Sequence, residues 1–417
     1  MNEGFKETEI GLIPEEWDYL NLGELCKFVT GKLNSNMAEE GGIYPFFTCS
    51  PEILSINSYS FDTEAILLAG NNAEGKFNVK YYNGKFDVYQ RTYVITIKDL
   101  KKLNYSYLYF ALILSLDRLR ESSQGTATKF LTMKILNAME LPVPRIEEQT
   151  KIGQILYDLD KKIELNHEMN RTLEAIGQAI FRHWFVHFEF PNSEGQPYKA
   201  SGGEMVDSEL GEIPKGWEIA KLEDHMDFLE GPGIRNWQYT DEGIPFINIR
   251  LINNGEIDLS KANFVSVNEI EKYNHFLLKE KDIIVSTSGT LGRHAVVRKE
   301  HLPLLLNTSV IRFRQKSLDY SYMYYYLTSK RFYEELLVHA SGSVQLNFGP
   351  MHLKRIFFIL PPVKIQNEFE AINSQILEKL NQNRSEIFIL SKIRDSLLPK
   401  LMSGKIRVNI SEEATVK

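Results

Sequence analysis

The side chains best suited to chemistry sit in short polar loops, and the enzymatic readings of those loops fail in turn. Gly70-Asn71-Asn72-Ala73-Glu74-Gly75-Lys76 has the glycine–lysine spacing of a phosphate-binding loop. The next residue is Phe77 rather than the Ser or Thr that would hold magnesium, and a strand-like stretch follows where such a loop needs a helix. His183 and His187 stand four apart in a helical pattern, but no third metal ligand accompanies them. Solvated or packed histidines beside Trp184 are therefore expected, with no metal site. Leu360-Pro361-Pro362-Val363 lacks the leading Asn or Asp of an amino-methyl-transfer quartet. No glycine-rich cofactor loop and no nuclease carboxylate–lysine set is recognisable, so no catalytic residue is assigned.

The same loops suit DNA better. Glycines and short polar side chains allow close approach to phosphates and base edges, and amides pair with adenine. The first such loop offers Asn71, Asn72 and Lys76, and its counterpart Ser286–Gly292 offers Thr287 and Ser288 beside Arg293. A second matching pair offers Thr126, Thr128 and Lys129, then Ser343, Gln345 and Asn347. Gly231–Gln238, with Arg235 and Asn236, is a third candidate without a partner. Each loop alone reads equally well as an ordinary exposed turn; recurrence beside basic blocks favours a function. The net charge is −7, yet Val285–Lys316 carries six Lys/Arg against Glu300, and Glu64–Lys134 carries eleven basic residues against six acidic ones. Local patches matter more than the total for meeting a polyanion.

These loops recur because the chain is a repeat. Glu9-Ile10-Gly11-Leu12-Ile13-Pro14-Glu15-Glu16-Trp17 returns as Glu209-Leu210-Gly211-Glu212-Ile213-Pro214-Lys215-Gly216-Trp217, and the same offset pairs Phe28 with Phe228 and Pro45-Phe46 with Pro245-Phe246. Later the offset becomes 217, pairing Gly75 with Gly292, Gly125 with Gly342 and Gln149 with Gln366. Each copy ends in a helical stripe. Ile152, Leu156, Leu159, Ile163, Asn166, Asn170, Leu173, Gly177, Ile180 and Trp184 step by four and three, as do Phe369, Asn373, Ile376, Leu380, Asn383, Ile387, Leu390, Arg394, Leu397 and Leu401. That is a heptad seam. Drift of a 3.6-residue helix against a 3.5 repeat shifts the expected stripe to Ile176 and Ile393. A stripe of about 35 residues spans over 50 Å, more than a globule of about 150 residues needs. Pairing of the two helices is thus preferred to each lying on its own domain, with Asn166 and Asn383 setting register at some cost in stability.

Within each copy, strands are expected at Glu64–Ala69, Phe77–Tyr82 and Tyr89–Ile97, with a turn at Asn83-Gly84. The second copy has strands at Asp282–Ser286, Ala295–Arg298 and Ser309–Phe313. Helices are expected at Tyr105–Arg120 and Tyr320–Leu337. The organisation reads as a first domain over 1–145, a helix over 146–187, a linker over 188–208, a second domain over 209–363, a helix over 364–404 and a tail over 405–417. With 417 residues, 43% hydrophobic and 25% charged, the balance is globular. No apolar run reaches the roughly 18 residues of a membrane helix. An acidic start unlike a signal or transit peptide, and two cysteines, Cys26 and Cys49, without metal-like spacing, fit a reducing cytoplasm.

Gly-x-Ile-Pro-x-x-Trp opening each half, Leu141-Pro142 through Gln149 and Ile152, and Leu360-Pro361-Pro362 through Gln366 and Phe369, resemble the specificity subunit of a type I restriction–modification enzyme over essentially the whole chain. The resemblance implies an α+β fold: two similar mixed α/β target-recognition domains separated by a pair of long antiparallel helices. It implies that each domain reads half of a split double-stranded DNA target. Two methyltransferase subunits would dock on the helices, and two restriction/translocase subunits would join the full complex. S-adenosylmethionine, ATP and magnesium would reside on those partners. It carries over no base-reading residues. A self-sufficient methyltransferase or nuclease, and a DNA-independent coiled-coil scaffold, stay open as alternatives.

Overall fold

The repeated opening motif closes the same turn twice. Gly11 and Gly211 take φ of 97° and 96°, a region glycine enters without strain. Trp17 and Trp217 each donate their backbone N–H to the carbonyl of Pro14 or Pro214 at 3.1 Å. Ile13, Trp17, Ile213 and Trp217 are buried, so the motif is an anchor for the core. These geometries come from a computed structural model, which describes residues 4–73, 75–125, 128–253, 255–339 and 348–409. Two compact units emerge: Met1–Glu164 with Ile389–Lys417, and Leu165–Phe388.

In the first unit, strands β1 (Cys26–Thr30), β2 (Tyr44–Phe47), β3 (Ile53–Ile56), β4 (Phe61–Ala69), β6 (Val79–Val88) and β7 (Thr92–Ile97) form one sheet, ordered β1-β7-β4-β6-β2-β3. Short β5 (Asn71–Asn72) interrupts the series outside that sheet. All contacts in the sheet are antiparallel except β2 with β6. Ile66, Leu68 and Ile95 face helix α1 (Tyr105–Leu114), whose Tyr107, Leu108 and Phe110 share their core. Asn104 caps α1 by accepting N–H bonds from Ser106 and Tyr107. Helix α2 (Leu116–Ser122) and β8 (Lys129–Phe130) follow, ahead of the long helix α3 (Ile146–Phe185).

The second unit repeats the inner part of that sheet. Strands β9 (Met226–Glu230), β10 (Ile283–Ser286), β11 (His294–Val296) and β12 (Val310–Gln315) run β9-β12-β10-β11, all antiparallel. Helices α4 (Tyr320–Leu327) and α5 (Lys330–His339) follow, and α6 (Val363–Met402) is the second long helix.

Several expectations are corrected. Asn83-Gly84 makes no turn; it lies inside β6, opposite Glu64 and Thr63, because the strand continues through it to Val88. The chain turns instead at Tyr89–Arg91, where the Thr92 N–H bonds the Tyr89 carbonyl, so β7 starts at Thr92. Ser115 breaks the helix expected over Tyr105–Arg120, and Thr328-Ser329 breaks the one expected over Tyr320–Leu337. Ser115 and Thr328 each bond the carbonyl four residues back, and Ser329 bonds Tyr326 three back, which competes with helix continuation. The segment read as a linker contributes to the second unit's core: Phe188 and Phe190 are buried, and Phe190 stacks on Trp217 at 5.0 Å.

All twenty seam positions are buried or half-buried, whereas Ile176 and Ile393 are exposed, so the stripe does not slip. Gly177 stays on the seam because the Tyr325 hydroxyl occupies the place of its Cβ, and Arg394 stays there by pairing with Asp160 at 2.7 Å. In the first unit Ile152 and Leu156 share a core with Leu398 and Leu401. In the second, Asn383 donates to Asn170 at 3.0 Å and Asn166 to Glu386 at 2.9 Å. Rising numbers on one helix meet falling numbers on the other, so the segments are antiparallel in each unit. The Oδ1 atoms of Asn166 and Asn383 are buried without partners, the stability cost of polar groups in a seam.

Candidate DNA interface

In the first unit the two predicted loops meet. Strand β5 pairs antiparallel with β8, Asn72 opposite Lys129 and Asn71 opposite Phe130. The Leu131 N–H continues the contact to the Gly70 carbonyl at 2.8 Å. The Asn72 carboxamide accepts the Lys76 N–H, which folds the loop back. A Cβ on Gly75 would lie 3.0 Å from the Arg120 Cγ and 3.2 Å from the Lys129 Cγ, so two basic stems flank this glycine. The β6–β7 turn joins them. The Arg91 carbonyl accepts the Gly70 N–H at 2.8 Å, and Gln90 holds the segment after β1 through the Leu33 carbonyl and the Asn34 side chain. The Tyr93 hydroxyl donates to the Leu131 carbonyl at 2.9 Å, and burial raises its pKa, keeping it a donor. The product is a rim presenting Lys76, Arg91, Arg120, Thr128 and the Phe130 ring to solvent, with Asn71, Asn72 and Lys129 half-buried beneath.

The second unit builds its rim the same way. The Phe348 N–H bonds the Thr287 carbonyl at 3.1 Å, the counterpart of Leu131 and Gly70 at offset 217. The Thr287 N–H bonds the Ser309 carbonyl, and the Asn307 carboxamide accepts the Ile234 N–H at 2.9 Å. The Gly231 strap therefore joins the Ser286–Gly292 loop on one rim. Arg235, Asn236 and Arg293 are exposed there and Ser288 is half-buried. The Ser286 hydroxyl shapes the loop, donating to the Thr290 carbonyl and accepting the Arg293 N–H.

Two sequence readings change. Thr287 is fully buried, its hydroxyl unpaired, because its backbone is held between two neighbouring segments; its side chain cannot face a ligand. Three of the six basic residues in Val285–Lys316 are paired with acids, most of them distant in sequence. Arg298 pairs with Glu256 and Glu300, Arg312 with Asp227, and Arg314 with both oxygens of Asp282. Thr126, Ser343, Gln345 and Asn347 lie outside the described residues. His183 and His187 are exposed, and among the described residues no three His, Cys, Asp or Glu side chains gather as a metal site. Arg91, Arg120 and Phe130 were not anticipated, since only the sheet order brings their segments to the loop.

A rim of amides, hydroxyls and cations thus recurs on two copies of one sheet. The profile of the type I restriction modification DNA specificity domain matches residues 14–175 and 214–391, once on each copy. The chain belongs to that family. It is a specificity subunit of a type I restriction–modification system, and it recognises DNA targets. The MjaIX specificity subunit of Methanocaldococcus jannaschii is 26% identical, over 97% of this chain and 96% of that one. The EcoDI specificity subunit of Escherichia coli is 34% identical over 52% of this chain and 50% of its own. In fold, the solved S subunit from M. genitalium matches with a TM-score of 0.60 at 17% identity, covering 95% of this chain and 97% of that chain. No helix among the described residues of this specificity subunit is long and apolar enough to cross a membrane.

Proposed function

We propose that this specificity subunit is non-catalytic and reads a bipartite DNA target, one half with the rim of each unit. The observation that carries this is the recurrence of one backbone arrangement, Leu131 on Gly70 and Phe348 on Thr287, beneath loops of different polar side chains. Equivalent frames with unlike side chains suit two unlike half-sites. Lys76, Lys129 and Arg293 would meet phosphates, while Asn71, Asn72, Asn236, Gln345 and Asn347 are suited to base edges. The long helices would set the unread spacer and dock two methyltransferase subunits. Two restriction/translocase subunits would complete the assembly, acting in the cytoplasm. S-adenosylmethionine, ATP and magnesium would be bound by those partners.

Methylation mapping tests the proposal. Cells holding the partner subunits should carry adenine methylation at one bipartite target only when this chain is present. The purified chain, given S-adenosylmethionine, ATP and magnesium, should be inert. Methyl transfer by the chain alone, or an unchanged methylation map without it, would refute the reading.

A further inference from the structure

We propose that Trp237, and Met37 in the first copy, are apolar wedges that press between base steps of the duplex at the two rims. The inference rests on reading the rims as the DNA face. The offset of 200 that pairs Phe28 with Phe228 and Pro45-Phe46 with Pro245-Phe246 also pairs Asn36-Met37 with Asn236-Trp237. Both pairs sit in a single turn of 3₁₀ helix, Ser35–Met37 and Asn236–Gln238. Met37 is 47% exposed and Trp237 81%, whereas Trp17, Trp184 and Trp217 are all under 8%. Two diverged copies thus hold a large apolar side chain in water at one equivalent place.

The mounting is firm where a wedge needs it. Ile234 is buried before the Trp237 turn, and the Tyr239 ring packs on Phe246 at 5.1 Å after it. Gln238 closes the turn, accepting the Arg235 N–H at 2.9 Å and donating to the Tyr273 hydroxyl. In the first copy the Met37 N–H bonds the Asn34 carbonyl at 3.1 Å, and Gln90 holds the Asn34 side chain. Each turn therefore hangs from the same β-strand turn that supports its rim, Gln90 in one unit and Asn307 in the other. The tip is apolar, the base is fixed, and Arg235 stands two residues away, where it can meet a phosphate. Apolar side chains so placed partly unstack a base step, and the cost depends on the step being deformed. Trp237 and Met37 would then select flexible steps by shape, without hydrogen bonds.

The test uses the full chain with its methyltransferase partners and a short duplex carrying the mapped target. Trp237→Ala should weaken binding about tenfold, in line with base–aromatic stacking, and leave the salt dependence unchanged. Arg235→Ala or Lys129→Ala should instead flatten the salt slope by about one unit. Trp237→Phe should retain most of the affinity. The fluorescence difference between wild type and Trp237→Phe isolates the exposed indole, and duplex should quench it. If the salt slope responds to the basic variants while Trp237→Ala binds normally, the wedge is wrong and the rim stands. If none of these variants affects DNA, the rim itself is misplaced. An indole already shielded by the partners before DNA is added would make Trp237 a protein contact and overturn the proposal.

Discussion

Inserting seven residues into each long helix, after residue 164 in one and after residue 388 in the other, should lengthen the unread spacer of the DNA target while leaving both half-sites unchanged. The insertion points are where the chain passes between the two units. Seven residues restore the heptad phase, so the seam residues of each unit keep their own partners, including Asp160 with Arg394 and Asn170 with Asn383. Each helix grows by about 10 Å at 1.5 Å per residue, which corresponds to about three base steps of 3.4 Å. An oblique helix axis or added duplex rotation reduces this, so a gain of about one to three base pairs is expected. A two-residue insertion in one helix alone should abolish activity, because it rotates one stripe by about 200°, away from its partner. Methylation mapping of an active heptad variant reads the outcome directly. An unaltered spacer would mean that the helices do not set it.

Replacing Arg384 should cost the second unit a large part of its stability. Arg384 is almost fully buried on α6 and lies 3.1 Å from Glu256 and 3.8 Å from Glu174, while Glu256 also binds Arg298. Burial opposes its charge, but Tyr324, Glu256 and Glu174 outweigh that and hold its pKa above the ordinary range. Burial raises the Glu174 pKa despite Arg384 and a 2.8 Å bond from the Tyr324 hydroxyl. His294, pushed down to about 4 by burial and then by Arg384, stays neutral and adds no competing charge. Arg384→Met leaves two acids inside the protein with weakened compensation. Such a break costs about 3–5 kcal/mol, or a fall in Tm of roughly 10 °C for a unit of this size. Adding Glu174→Gln should recover part of that loss, because the charge orphaned by the exchange goes with the arginine while Glu256 keeps Arg298. Thermal unfolding of the single and double variants checks both statements; a single variant as stable as wild type would show that the network is dispensable.

What could be read from the chain alone was what repeats along it, between the two copies or within the period of one helix. Gln149 recurs as Gln366 because one amide ties a strand end to a helix start: Gln149 donates to the Lys102 and Pro144 carbonyls and accepts the Asn104 N–H. Gln366 does the same with the Pro361 carbonyl and the Asp319 N–H. The heptad stripe was legible for a similar reason, since its period is a property of one helix. Its behaviour at Gly177 was not, because the Tyr325 hydroxyl that demands a glycine lies 148 positions later. The basic block misled for the same cause: Asp227, Asp282 and Glu256 pair with three of its six basic residues from other segments. Polar composition marked the loops of both rims, but which side chains reach the surface was set by folding. Thr287 turned inward, and Arg91 and Phe130 came from segments that no spacing rule connects.

The most direct measurement exchanges residues 209–363 for the corresponding segment of another specificity subunit and maps adenine methylation in cells with unchanged partners. One half-site should be replaced by that of the donor, with the other half-site and the spacer retained. A target altered in both halves, or in neither, would contradict the assignment of one half-site to each unit.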